Sequence, residues 1–143
     1  MDKVTIVFWS QSGNTESMAN AVAEGVTAAG KEAVVVDVAS ASLDDLKAAK
    51  GFAIGCPAMG AEVLEEGEME PFVTEVEGFA AGKTIGLFGS YGWGDGQWMR
   101  DWVDRMTAAG ATVVNGEGVI CQEAPDDAAL DACKDLGKQL AAL

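Results

Sequence analysis

The chain of 143 residues is 49% hydrophobic and 22% charged, and 9 Lys+Arg against 23 Asp+Glu give a formal net charge of −14. Such a chain is expected to form one acidic, soluble domain over residues 1–143, long enough to bury a core without disulfide or metal staples. It contains no histidine, which removes Ser-His-Asp and Cys-His catalysis and imidazole metal ligation together.

Cys56, Cys121 and Cys133 fall one short of an all-cysteine cluster or a Cys₄ zinc site, and none stands in a C-x-x-C pair. Their odd number, in a chain that opens without a signal-peptide pattern, leads to the expectation of reduced thiols in the cytoplasm. The longest charge-free stretch, Val4 to Thr15, is too short to span a bilayer. The net charge opposes polyanions, so nucleic acid and anionic membrane are disfavoured as partners and basic proteins favoured. Any redox or group-transfer chemistry must then be carried by an organic cofactor.

The elements follow in chain order. Val4 to Trp9 (VTIVFW) reads as a strand, and Met18, Val22 and Val26 mark a helix that Gly30 ends. Ala33 to Val38 reads as a second strand. Leu43, Leu46 and Ala49 allow only a short helix between Ala39 and Lys50. Gly51 to Cys56 is a third strand, Pro71 suits the start of a helix, and Thr84 to Gly89 is a fourth strand. Trp98, Trp102, Met106 and Ala109 predict a helix closed by Gly110. A fifth strand at Ala111 to Val114 resumes at Val119 to Cys121, and Leu130, Cys133, Leu136, Leu140 and Leu143 form a terminal helical stripe. Near-continuous apolar strands alternating with helices predict an α/β fold: a doubly wound, three-layer α/β/α arrangement around a five-stranded parallel sheet. Ligands of such sheets bind beyond the carboxyl ends of the strands, so the loops after strands one, three and four carry the chemistry.

The first of these loops is Ser10-Gln11-Ser12-Gly13-Asn14-Thr15. Its hydroxyls and amides stand at a helix N-terminus with no Lys or Arg, and it matches neither a Walker loop nor a dinucleotide fingerprint. It suits one terminal phosphate held by hydrogen bonds alone; the plainer alternative is a helix cap by Ser12 or Asn14. The second loop, Pro57-Ala58-Met59-Gly60-Ala61-Glu62, combines a polarizable thioether, a permissive glycine and a carboxylate able to accept from an imide N–H. Its alternative is a turn with Met59 tucked into the core. The third, Ser90-Tyr91-Gly92-Trp93-Gly94-Asp95-Gly96, places two aromatics between glycines as a stacking platform, or as a cover for the sheet edge. Convergence of all three on one edge points to a mononucleotide with a flat ring.

Three segments, WSQSGNTE (Trp9 to Glu16), GCPAMGAE (Gly55 to Glu62) and LFGSYGWGDGQWM (Leu87 to Met99), together with the whole chain around them, resemble the flavodoxin family in its short-chain form from anaerobic bacteria. The resemblance implies that Ser10, Ser12, Asn14 and Thr15, with Gln11 and Gly13, bind the phosphate of FMN. It implies that Met59 and Trp93 sandwich the isoalloxazine, that Glu62 accepts from flavin N3–H, and that amides around Gly92 to Gly94 face N1 and O2. Pro57, Ala58, Ser90 and Tyr91 complete the implied site, and the Gly60 carbonyl turns to N5–H. The implied activity is that of a low-potential one-electron carrier, not an enzyme, with FMN held non-covalently and cycling mainly between semiquinone and hydroquinone. Basic reductases and electron acceptors are the implied partners, and the protein is expected to be a monomer. Ser12 stands where Thr is usual in the family, Ala61 where a polar residue or glycine is common, and the long-chain insertion is lacking.

Two rivals are weighed beside this reading. A phospho-accepting receiver domain needs acidic residues at the end of strand one and a lysine ending strand five, whereas this chain has Trp9-Ser10 and no strand-end lysine. A small FMN-dependent reductase lacks support because no substrate-facing extension is present.

Overall fold

The computed structural model describes residues 2–143. Strands β1 (Lys3–Phe8), β2 (Glu32–Asp37), β3 (Gly51–Gly55), β4 (Thr84–Tyr91), β5 (Thr112–Val113) and β6 (Val119–Gln122) alternate with helices α1 (Asn14–Ala28), α2 (Leu43–Ala48), α3 (Met69–Glu77), α4 (Gln97–Ala108) and α5 (Asp127–Ala141). Every strand pair is parallel, in the order β2-β1-β3-β4-β5, with β6 also paired to β4. The expected fifth strand is thus present in two pieces. A 3₁₀ turn at Val114–Gly116 interrupts it, where Asn115 and Gly116 take positive φ of 62° and 72° and end the first ladder.

Side chains that alternate along each strand feed two separate cores. Val7, Phe52, Ile54, Ile85 and Leu87 pack under Leu46 of α2, Phe72 and Val76 of α3, and Trp98, Trp102 and Met106 of α4. Ile6, Phe8, Ala53 and Phe88 face the other way, against Met18 and Val22 of α1 and Cys133, Leu136 and Leu140 of α5. Burial on both faces explains why the strands read as unbroken apolar runs. The short α2 survives because Leu46 is fully buried, Ser42 Oγ accepts from the Asp45 amide, and Lys83 Nζ donates to the carbonyls of Lys47 and Ala49.

Helices α1 and α5 lie as close as backbones allow. A Cβ on Gly25 would fall 1.9 Å from the Lys134 carbonyl oxygen, and one on Gly137 2.0 Å from that of Val22. The two glycines therefore interlock, and α5 fixes the seat of α1. No helix among the described residues is long and apolar enough to cross a membrane.

Candidate functional site

Three loops leave the carboxyl ends of β1, β3 and β4 and are stitched together before any ligand is considered. The Trp9 amide donates to the Gly55 carbonyl at 3.0 Å, and the Ala58 amide to that of Ser90 at 3.0 Å. Thr15 and Ser90, both buried, bring their hydroxyls to 3.4 Å. The loops thereby enclose a cleft of about 140 Å³. That is small beside the ~300–1,000 Å³ of ordinary ligand pockets, and leaves room for one end of a ligand only.

The first loop contributes Ser10, Gln11, Ser12, Asn14 and Thr15 to the cleft wall. Gly13, at φ 94°, is the N-cap, and Ser10 Oγ accepts from the amides of Gly13 (3.1 Å) and Glu16 (3.3 Å). Capping therefore falls to Ser10, while neither Ser12 nor Asn14 makes a side-chain cap. Among the described residues the amides of Asn14 and Thr15 have no partner, and they stand at the positive end of a 15-residue helix. A wall of hydroxyls and free amides without a cation suits an anion with several acceptor oxygens.

The second loop supplies Pro57, Ala58 and Met59, and the third Ser90, Tyr91 and Gly92. Met59 is half-buried at the cleft wall rather than in the core. It exchanges two backbone hydrogen bonds with Val63, 2.8 and 3.0 Å, across an isolated bridge whose tip is the exposed Gly60. Gly60, Glu62, Trp93 and Gly94 do not line the cleft. Trp93 stands beside it, 65% exposed.

Glu62 has a task that its sequence position does not disclose. At φ 56° its side chain crosses to α4, where Oε1 accepts from the amides of Asp95, Gly96 and Gln97, each at 3.2 Å. A Cβ on Gly94 would lie 2.4 Å from that same oxygen, so a side chain there would displace the carboxylate. Glu62 Oε2 takes no hydrogen bond among the described residues. Three residues further on, Glu65 does the same for α3, with Oε2 on the Gly67 amide and Oε1 on those of Glu68 and Met69.

Sequence reasoning missed Glu123, which lines the cleft at φ 58° with its amide donating to the Tyr91 carbonyl at 2.8 Å. The signal for it is topological rather than local: the loop after the last strand opens on the same sheet edge as the other three. Burial pushes the Cys56 thiol up to about 12 and Cys121 up to about 11, so both stay protonated at neutral pH and supply no thiolate nucleophile. No group of His, Cys, Asp and Glu among the described residues has the geometry to hold a metal ion.

Residues 6–137 match the family model described as Flavodoxin. The flavodoxin of Clostridium beijerinckii is 46% identical over 136 residues, covering 95% of this chain and 97% of that protein. The solution structure of two-electron reduced Megasphaera elsdenii flavodoxin superposes with a TM-score of 0.87 at 44% identity, covering 98% of this chain and 99% of that one. A flavodoxin structure from the domain Archaea gives a TM-score of 0.85 at 30% identity, covering 98% and 96%.

Proposed function

The chain belongs to the flavodoxin family of FMN-binding electron carriers, and from that premise we propose that it is a low-potential one-electron carrier that holds FMN non-covalently in the cleft and on the surface above it. The observation that carries this reading is the cation-free wall of hydroxyls and free amides at the start of α1, which fits a terminal phosphate. Ser10, Ser12, Asn14 and Thr15 would take the phosphate oxygens. Met59 and Trp93 would cover the two faces of the ring, and the free oxygen of Glu62 would accept from its N3–H.

When bound, the flavin supplies the electron-accepting chemistry; the chain supplies orientation and a place for a proton. A flavin held here would carry a proton at N5 once reduced, and the chain would have to offer that donor an acceptor, since a buried unpaired donor costs about 1–3 kcal/mol. The Gly60 carbonyl is the acceptor in reach of change. Gly60 sits at φ 50° with nothing within 4 Å of where a Cβ would be, so its peptide is free to turn. We propose a carrier rather than an enzyme, monomeric and cytoplasmic, that serves basic redox proteins.

Titration of the apoprotein with FMN and with riboflavin tests the reading. Two charge-assisted hydrogen bonds at about 1.5 kcal/mol or more apiece predict at least a hundredfold preference for FMN. Equal affinity for the two would remove the phosphate assignment.

A further inference from the structure

The second loop is held along most of its length, in part by the bond of the Ala58 amide to Ser90 and in part by groups outside the cleft. Its base is Cys56, whose amide donates to the Phe88 carbonyl at 3.1 Å and whose carbonyl accepts from Trp98 Nε1–H at 3.1 Å in a fully enclosed contact. Space around that bond is tight: a Cβ on Gly89 would lie 2.1 Å from the Cys56 oxygen and 3.1 Å from Trp98 Cζ2. The Tyr91 ring leans on the indole at 5.5 Å between centroids and 52° between planes. The far end of the loop returns to the same residue, because the Glu65 amide donates to Cys56 Sγ at 3.4 Å. In between, Met59 and Val63 are mutually bonded, and Glu62 and Glu65 are tied to the N-termini of α4 and α3. What remains unheld is the exposed peptide between Gly60 and Ala61.

We infer that Trp98 is a positioning residue for the redox step: by holding the Cys56 carbonyl it anchors the base of the loop, so that the Gly60 peptide turns alone and the rest of the loop does not follow. The inference rests on the proposed role of the Gly60 carbonyl at flavin N5. Without the indole N–H, the buried Cys56 oxygen loses its partner and the loop base gains conformations in which the Gly60 carbonyl is not presented. Those conformations penalise the protonated ring and leave the unprotonated one untouched. Trp98 does not line the cleft, so direct contact with the ring plays no part in this effect.

The test removes the donor, by Trp98→Phe, which also shortens the aromatic system, and by substitution of β-(3-benzothienyl)alanine at the same position, which keeps the bicyclic shape and loses only the N–H. Two measurements are made. Amide hydrogen exchange in the apoprotein is expected to quicken about tenfold at Met59 and Val63 while α1 and α5 stay unchanged. In the FMN-loaded protein the equilibrium constant for the first electron is expected to fall about tenfold, which for one electron is about 59 mV, with the second left in place. Unchanged exchange overturns the anchor. Quickened exchange with an unmoved first potential overturns its role in the redox step. Gly60→Thr, measured alongside, separates the two readings: if it shifts the first potential and the Trp98 variants do not, only the inference about Trp98 fails. If Gly60→Thr has no effect either, the peptide turn itself is wrong.

Discussion

Trp93 keeps an indole in water at the rim of a half-closed site, a cost that a flat ring laid against it recovers. Trp93→Ala is therefore expected to weaken FMN binding by about 0.5–1.5 kcal/mol from stacking alone, with lost burial adding to it. Quenching of protein fluorescence on FMN addition follows the loss, and unchanged affinity would assign the outer face to another residue. The two buried indoles of α4 make a sharper contrast. Trp98 Nε1 has its acceptor, whereas Trp102 Nε1 is buried with none. Trp98→Phe leaves a carbonyl unpaired, and Trp102→Phe removes an unpaired donor, so chemical denaturation should show the first variant less stable than the second by about 1–3 kcal/mol. The hydroxyls of the first loop and the aromatics of the third were legible in the sequence because residue chemistry and position after a strand are both local. The reach of Glu62 and the place of Glu123 were not. Both depend on left-handed backbone at a glutamate, which no local pattern announces.

Helices α3 and α4 begin without a capping side chain at their own N-cap positions. Their free amides are served instead by carboxylates of the second loop, so one loop fastens two helix ends. Glu65→Ala is expected to cost about 1 kcal/mol, as loss of a cap does elsewhere. Acid should act on the same parts. The hydrogen bond and charge of Arg105 hold Glu70 below the usual carboxylate range, and at Glu65 burial pushes upward but the three amides outweigh it. Stability from such lowered groups is present above the ordinary carboxylate pKa and is lost as pH falls through the lowered one. Thermal melts from pH 7 downward should show an acid limb that flattens in Glu70→Gln and Glu65→Gln; an identical limb in both variants would place acid sensitivity elsewhere. Most elements were legible because apolar period and glycine stops are carried within each segment, and their ends moved by one or two residues, β4 running on to Tyr91 and α5 stopping at Ala141 short of Leu143. What the sequence hid was tertiary capping across 33 to 35 positions and the 3₁₀ break in the last strand.

Across the molecule, charge is unevenly laid. Lys3, Lys31, Lys50 and Lys83 stand at the amino ends of β1, β2, β3 and β4, on the edge opposite the cleft. Glu16, Glu62, Asp95 and Glu123 stand on the cleft edge, within a net charge of −14. A basic partner would be drawn to the cleft side first, and its association rate should fall as ionic strength rises toward a Debye length of ~8 Å. A rate indifferent to salt would refute this steering. The interlocked glycines of α1 and α5 bear on the molecule's beginnings as well. The first loop and α1 are made early, but the surface against which α1 seats is α5, which is made only after every strand of the sheet. Until then the amides that close the cleft have no fixed address. A nascent chain stalled before α5 should capture FMN poorly, so cofactor loading should wait until α5 has been made.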